Sequence, residues 1–180
     1  GGFECPSTTS GAMNPCGIGY YSLAGDAACH ACTPGSYCPS ATSMPISCPA
    51  GTYSLISATN CTICPAGYEC SNPGIYPVIC SQGFYATGGS INCLACSAGY
   101  MCDTGSTSPT PASSKCTIGG YCNPAGTFTP CPTGTYGIIE GGQSVSHACI
   151  ACDAGYSCEA NGTVRTTRTL CIAGHYCPEG

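Results

Sequence analysis

The sequence predicts a small disulfide-rich repeat array, mostly coil and turns with short β-hairpins, little or no helix and an elongated, rod-like form. First, 21 of the 180 residues are cysteine. Second, a Cys-x-x-Gly motif followed within two residues by tyrosine occurs ten times. Third, Leu, Ile, Val and Phe total only 22 residues, too few for one large apolar core. Disulfides therefore have to replace much of the missing apolar burial.

The cysteines follow a unit of the form C-x12-C-x2-C-x5-C that recurs every 32 residues, and this spacing divides the chain. We predict the following organisation: the end of a truncated preceding unit plus a linker at 1–15, repeat 1 at 16–47, repeat 2 at 48–79, repeat 3 plus a Ser/Thr/Pro linker at 80–115, a half repeat at 116–130, repeat 4 with an enlarged first loop at 131–170, and a half repeat at 171–180 after which the chain is expected to continue.

Two pairing schemes fit the spacing, adjacent (first–second and third–fourth) or interlaced (first–third and second–fourth). The half repeats keep only the third and fourth cysteines, which favours the adjacent scheme and leaves the interlaced one open. The adjacent pairs would be Cys16–Cys29, Cys32–Cys38, Cys48–Cys61, Cys64–Cys70, Cys80–Cys93, Cys96–Cys102, Cys116–Cys122, Cys131–Cys149, Cys152–Cys158 and Cys171–Cys177. Cys5 has no partner within the segment, and we expect its partner just before residue 1.

Glycine and tyrosine have predicted roles in each motif. In Cys48-Pro49-Ala50-Gly51, proline at the second position and glycine at the fourth favour a type I turn. The tyrosines that follow, such as Tyr53 and Tyr68, are expected to pack against neighbouring disulfides, since sulfur–aromatic contacts are favourable. A tyrosine stripe that binds a ligand or a neighbouring filament is the alternative.

Composition restricts location and partners. Disulfides at this density persist in oxidising compartments, so we expect an extracellular or cell-surface protein. Only three residues are basic and the net charge is -5, which argues against nucleic-acid binding. No apolar run is long enough to span a bilayer, so no membrane insertion is expected in this segment.

The stretch from Cys48 to Cys70, CPAGTYSLISATNCTICPAGYEC, resembles the cysteine-rich repeat of ephrin-type receptors, which is also abundant in extracellular proteins of algae and other protists. The likeness extends over all four full repeats. It implies disulfide-linked modules that act as spacers or association surfaces, with no catalytic residues. Among the members of that family, the mastigoneme proteins of algal flagella, which build glycosylated hairs, resemble this chain. The enlarged loop of repeat 4 and the two half repeats depart from the pattern.

Chemistry at single residues points to sugars. Asn161 and Asn60 begin N-x-[ST] sequences, and the cysteine inside the second makes it the poorer acceptor. The segment Thr104–Ser114 is rich in Ser, Thr and Pro, a composition typical of O-glycosylation. The candidates there are Thr104, Ser106, Thr107, Ser108, Thr110, Pro109 and Pro111, the prolines through hydroxylation. A bare flexible linker is the alternative.

Catalysis and metal binding are not expected. The C-x2-C pairs invite a zinc interpretation, but each is followed by x5 and not by a second x2. His30, His147 and His175 are isolated in the sequence and the acidic residues form no catalytic pair. We therefore predict no enzyme activity, no metal and no cofactor, with covalent glycans as the only added groups.

These observations predict a structural building block of an extracellular glycoprotein filament or coat. Its partners would be other copies of itself or other filament glycoproteins. The alternative is the stalk or ligand-binding ectodomain of a cell-surface receptor or surface antigen. A redox or metal-handling protein, a third possibility, would show reactive thiols.

Overall fold

The computed structural model describes residues 1–5, 13–159, 162–164 and 167–180. Short strands make up nearly all of its regular structure. They are β1 Phe3–Glu4, β2 Asn14–Pro15, β3 Tyr20–Tyr21, β4 His30–Ala31, β5 Ser36–Tyr37, β6 Ile46–Ser47, β7 Thr52–Tyr53, β8 Thr62–Ile63, β9 Tyr68–Glu69, β10 Val78–Ile79, β11 Phe84–Tyr85, β12 Leu94–Ala95, β13 Gly120–Cys122, β14 Phe128–Pro130, β15 Thr135–Gly137, β16 Cys149–Ala151, β17 Tyr156–Ser157 and β18 Thr169–Leu170, with one helix, α1 Val145–Ala148.

Consecutive strands pair into antiparallel hairpins, from β1–β2 through β17–β18. The first strands of five successive hairpins start at residues 20, 36, 52, 68 and 84, a constant step of 16 residues. Each first strand comes directly after a Cys-x-x-Gly motif, and each second strand leads to the next motif. The structural repeat is therefore one hairpin, half of the 32-residue cysteine unit, and the prediction of short hairpins with little helix is confirmed.

The disulfides follow the adjacent scheme. The bonded pairs are Cys16–Cys29, Cys32–Cys38, Cys48–Cys61, Cys64–Cys70, Cys96–Cys102, Cys116–Cys122, Cys131–Cys149, Cys152–Cys158 and Cys171–Cys177. Cys80 and Cys93 are also disulfide-bonded, whereas Cys5 is a free, exposed cysteine. The 13-residue separations in Cys16–Cys29 and Cys48–Cys61 close loops near the length for which chain entropy gives about 3 kcal/mol per bridge.

The interior consists mainly of sulfur. Of the described residues, the buried apolar ones are Cys32, Cys38, Cys48, Cys64, Cys70, Cys80, Ala86, Cys96, Cys102, Cys116, Cys122, Cys131, Tyr136, Ala148, Cys152 and Cys158. No Leu, Ile, Val, Phe or Met in the described part of the chain belongs to this set. Disulfides are thus both the cross-links and most of the packed interior.

Buried serines complete the core of the regular hairpins. The Ser22 hydroxyl donates to the Phe3 carbonyl at 2.8 Å, and the Ser54 hydroxyl donates to the Ser36 carbonyl at 2.8 Å. Ala86 occupies the corresponding place 32 residues after Ser54 and is completely buried. Because each buried hydroxyl has a partner, burial carries no unpaired polar group.

The predicted turn lies one residue further along the chain. The Thr52 N–H donates to the Pro49 carbonyl at 3.1 Å, so the turn is Pro49–Thr52 and not Cys48–Gly51. Gly51 is its third residue, with φ of +78°. A positive φ at that position defines a type II turn and requires glycine, whereas the type I prediction placed glycine at the fourth position. The Tyr68 N–H bonds to the Pro65 carbonyl in the same way.

The Ser/Thr/Pro segment after Cys102, which was predicted as a linker with a bare flexible chain as the alternative, is a loop bonded to neighbouring hairpins. Its ends are joined by an antiparallel bridge between Tyr100 and Lys115, so the segment is a hairpin loop. The Ala86 N–H donates to the Ser106 carbonyl at 3.1 Å, and the Ser97 N–H donates to the Pro109 carbonyl at 3.0 Å. Carbonyl groups of the loop thus satisfy backbone donors of the neighbouring hairpins, and these hydrogen bonds hold the loop in place.

The enlarged loop of repeat 4 contains the helix. Ser144 is the N-cap of α1, and its side chain accepts from the His147 N–H at 3.3 Å. Ala148 at the end of the helix is completely buried, while Val145, Ser146 and His147 are exposed. The extra residues therefore form a capped helical turn with one small residue buried against the hairpins.

The chain divides into two compact units. The first comprises 1–79 and 87–93, and the second comprises 80–86 and 94–180. Unit 1 contains the hairpins from β1–β2 to β9–β10. Unit 2 contains the hairpins from β11–β12 to β17–β18, together with α1.

Candidate association surface

In several described hairpins, one loop residue donates a hydrogen bond to a cysteine carbonyl and places its own carbonyl oxygen against a glycine of an earlier hairpin. Ser57 illustrates the arrangement: its N–H donates to the Cys32 carbonyl at 2.8 Å, and its own carbonyl oxygen lies against Gly19. We call such loop residues bridging residues. They are Ser57, Gly89, Ala125, Gly141, Gly162 and Gly180, which donate to the carbonyls of Cys32, Cys64, Cys96, Cys116, Cys131 and Cys152 respectively.

The glycines of the Cys-x-x-Gly motifs, here the motif glycines, accept these bridging residues. A Cβ on Gly83 would lie 1.9 Å from the Ala125 carbonyl oxygen, and one on Gly51 would lie 2.1 Å from that of Gly89. Both motif glycines are buried and have positive φ. Glycine is therefore required twice, for the backbone conformation and for the close approach.

Backbone conformation marks the bridging residues too. Among described residues other than glycine, the two with positive φ are Ser57 at 60° and Ala125 at 91°. Both are bridging residues, so this unfavourable conformation occurs where hairpins join. The remaining bridging positions use glycine. The bridging residues were not predicted from the sequence, although a signal was present: Gly89 and Gly180 each come nine residues after a motif cysteine.

A second contact set missed from the sequence surrounds Arg168 in unit 2. Tyr136 is 3% exposed and clusters with Cys152 and Cys158, with Tyr156 packed against them. The Arg168 guanidinium carbon lies 5.3 Å from the centre of the Tyr136 ring and 4.2 Å from that of Tyr156. Arg168 therefore places a cation over two aromatic rings, and the cation–π attraction to each ring is favourable.

Asp153 completes that cluster as the ion-pair partner of Arg168. The hydrogen bond from Arg168 to Asp153 raises the pKa of the guanidinium, so the cation over the two rings remains charged. Tyr136 also confirms the expected packing of a motif tyrosine against a disulfide. Tyr53 and Tyr68 are half-buried.

Apolar side chains that the core does not use lie at the surface of the hairpins. Ile63 is 68% exposed, Leu94 56% and Leu170 71%, and each lies on the second strand of its hairpin. The exposed apolar residues on second strands are Ile46, Ile63, Val78, Ile79, Leu94, Phe128, Ile150 and Leu170. Such a series places apolar surface at nearly every repeat.

The chain carries few charges, so electrostatic repulsion between apolar surfaces of different copies is weak. The whole sequence has 11 charged residues, and two of them, Arg168 and Asp153, are paired with each other. Sparse charge beside exposed aliphatic side chains favours association with another surface.

The glycosylation candidates differ in accessibility. Asn60, Thr104, Thr107 and Thr110 are exposed. Ser106, Ser108, Pro109 and Pro111 are half-buried, and the Ser106 hydroxyl donates to the Asp103 carbonyl at 2.8 Å. Asn161 lies outside the described residues.

Neither the C-x2-C pairs nor the histidines form a metal centre in the described part of the chain. The two cysteines of each C-x2-C belong to different disulfides where both bonds are described, as with Cys29 and Cys32. His30 lies 3.6 Å from Asp26, and His147 accepts from the Gln143 N–H at 3.3 Å. No group of three or more His, Cys, Asp or Glu among the described residues could hold a metal ion.

Fold and surface together define a disulfide-rich repeat protein whose sulfur core and exposed apolar strands suit association. Comparison with protein-family models and with curated proteins finds no match. The density of disulfides indicates a secreted or extracellular protein. Within the described residues, the only helix is four residues long and no helix could cross a membrane.

Proposed function

We propose that this chain is a structural building block of an extracellular glycoprotein filament or coat, such as a flagellar hair, a cell-surface fibre or a wall. The observation that carries the proposal is the exposed apolar surface on successive hairpins in a chain with few charges. A protein whose aliphatic side chains are largely outside gains by covering them with further copies or with related glycoproteins.

The sulfur core supports a mechanical role. The described disulfides each close a short loop, of 6 to 18 residues in sequence separation, and six bridging residues connect hairpins to earlier ones. A load along the chain therefore meets covalent cross-links in every repeat, without a single core that could open as a whole.

Sugars at the exposed acceptors fit the same role. Thr104, Thr107 and Thr110 are exposed on one loop, where O-linked glycans would add polar cover to the surface. The half-buried Ser106 offers a matched control. In material from the native source, intact-mass measurement should show loss of glycan for the triple threonine-to-alanine variant and little change for Ser106→Ala.

Association is the decisive test. The secreted, oxidised chain should form concentration-dependent oligomers in sedimentation velocity and fibres or sheets under negative-stain electron microscopy. The variant Ile63→Ser/Leu94→Ser should weaken this association, because it removes exposed apolar area, while leaving circular dichroism unchanged. A chain that stays monomeric at all accessible concentrations contradicts the proposal and favours a receptor or antigen stalk.

A further inference from the structure

Disulfides between the third and fourth cysteines of a repeat, here called inner bridges, are enclosed by the fold. In each inner bridge between residues 32 and 158, both cysteines are at most 5% exposed. These bridges are Cys32–Cys38, Cys64–Cys70, Cys96–Cys102, Cys116–Cys122 and Cys152–Cys158. A reagent in solution therefore has little access to their sulfur atoms.

Disulfides between first and second cysteines, here called outer bridges, bring one cysteine to the surface. In Cys48–Cys61 the first cysteine is 9% exposed and the second is half-buried, and in Cys131–Cys149 the first is 0% exposed and the second is again half-buried. The second cysteine is accessible because it stands at the start of the exposed second strand, directly before β8 in one bridge and as the first residue of β16 in the other.

The loops that the outer bridges close contain contacts between hairpins. The bridging residue Ser57 lies between Cys48 and Cys61 and donates to the Cys32 carbonyl at 2.8 Å. The bridging residue Gly141 lies in the same way between Cys131 and Cys149 and donates to the Cys116 carbonyl at 2.8 Å. An outer bridge therefore stabilises the contact of its hairpin with an earlier one.

Inner bridges have a more local role. Cys64–Cys70 spans only six positions, which hold the turn at Pro65 and the strand β9. Within that span the Tyr68 N–H donates to the Pro65 carbonyl at 3.3 Å. An inner bridge therefore stabilises the turn and first strand of one hairpin.

We propose that Cys61 and Cys149 are sites of thiol–disulfide exchange, at which a dithiol reductant opens the outer bridges while the inner bridges stay closed. Exchange requires in-line access of a thiolate to one sulfur of the bond. The two half-buried cysteines give that access, whereas both sulfurs of an inner bridge are covered.

The exchange has two steps. A thiolate of the reductant attacks the Cys61 Sγ, forms a mixed disulfide there and displaces the Cys48 thiolate, which takes up a proton. The second thiol of the reductant then attacks the mixed disulfide and releases Cys61, which is also protonated, while the reductant becomes a cyclic disulfide. Two electrons and two protons thus pass to the protein, and Cys149 reacts in the same way with Cys131 as its leaving group.

This redox-sensitive device goes beyond the proposed structural role and does not require self-association. Opening the outer bridges releases the loops that connect hairpins, while each inner bridge keeps its own turn closed. The array loosens between hairpins before any hairpin loses its cross-link, and reoxidation restores the contacts.

Limited reduction tests the order of opening. The free thiol of Cys5 is first blocked with N-ethylmaleimide, so that it cannot exchange with the bridges. The folded chain is then treated with dithiothreitol for increasing times, quenched with acid, alkylated and mapped by mass spectrometry. Cys48–Cys61 and Cys131–Cys149 should open at least about tenfold faster than Cys64–Cys70 and Cys116–Cys122, because access to sulfur controls the rate.

The same reaction in guanidinium chloride is the matched control, since unfolding exposes every sulfur and should abolish the difference. Equal rates in the folded chain, or faster opening of the inner bridges, overturn the proposal. A rate difference that persists unchanged in the denaturant also overturns it, because access would then not be the cause.

Hydrogen exchange of the partly reduced, alkylated chain tests the consequence. The Ser57 and Gly141 amides should exchange at least about tenfold faster than in the oxidised chain, because loss of the bridge lets their loops open. The Tyr68 amide, enclosed by an inner bridge, should keep its protection. Unchanged protection of Ser57 and Gly141, or simultaneous loss of protection at Tyr68, contradicts a selective loosening between hairpins.

Discussion

The regular hairpins from Cys16 to Ile79 and the irregular stretch from Cys131 to Leu170 fill their interiors with different side chains. In the first, buried cysteines and the hydrogen-bonded Ser22 and Ser54 fill the interior. In the second, Tyr136, Tyr156 and Arg168 add an aromatic and cationic cluster beside the disulfide Cys152–Cys158. The difference shows that sulfur bridges suffice where hairpins repeat at a constant step, and that a change in loop length brings extra side-chain contacts.

Reduction of the disulfides is expected to have the largest effect, because it should unfold both regions. A strong thiol reductant removes the cross-links and with them most of the buried core. We expect a large rise in hydrodynamic radius and loss of the near-ultraviolet circular dichroism of the tyrosines. Reoxidised protein provides the control, and unchanged radius and spectrum after complete reduction would refute the sulfur core.

Loss of one motif glycine should have the next largest effect. Gly51→Ala places a Cβ 2.1 Å from the Gly89 carbonyl oxygen and keeps φ positive, so we expect a loss of about 2–3 kcal/mol in the free energy of unfolding. Gly25→Ala is the matched control with φ of +96° and open space, so it should lose only about 1 kcal/mol. Denaturant titration of the oxidised, monomeric proteins measures both, and equal losses would show that close approach is unimportant.

Loss of Arg168 should affect only the irregular stretch, because Tyr136, Tyr156 and Asp153 all lie there. Arg168→Met keeps a long side chain but removes the charge over the two rings and the bond to Asp153. We expect a smaller loss of stability than for Gly51→Ala, measured by denaturant titration of the oxidised protein. Arg168→Lys should restore part of the loss, and a methionine variant as stable as the wild type would assign the cluster no energetic role.

Ser54→Ala should have the smallest effect. It removes one buried hydroxyl and its hydrogen bond to the Ser36 carbonyl, so we expect a loss of no more than about 1 kcal/mol. Ala86 already occupies the corresponding place in a later hairpin. The reciprocal variant Ala86→Ser measures whether that position accepts a hydroxyl. If Ser54→Ala instead lost as much stability as Gly51→Ala, Ser54 would have a larger role in the core than one hydrogen bond.

Several features could be read from spacing because they depend on local chain length. A separation of six residues, as between Cys64 and Cys70, brings two sulfurs together around one turn and strand. The hairpins follow from the Cys-x-x-Gly motif because its glycine sets the turn and the next residues extend from it. Thr104 and Thr107 are exposed, so their hydroxyls are accessible, and O-glycosylation there remains a prediction.

Other features were misplaced or missed because they depend on where one hairpin meets another. The turn was predicted at Cys48–Gly51, one residue before its actual position at Pro49–Thr52, because only the structure shows that Gly51 has a positive φ. The segment after Cys102 was taken for a linker, because composition does not reveal the bonds from Ala86 and Ser97 that hold it. Arg168 contacts tyrosines that belong to two different hairpins, and the cysteine spacing does not indicate these contacts.

The kind of interior follows from the amino-acid sequence, because cysteine count and spacing dictate local cross-links and the shortage of aliphatic residues rules out a large apolar core. Tertiary structure alone decided what those aliphatic residues do: small, closely linked hairpins have no room for them, so Ile63 and Leu94 lie outside. It also decided which glycines join hairpins, since a carbonyl oxygen 38 residues away, as in Ser57 and Gly19, can approach only after folding.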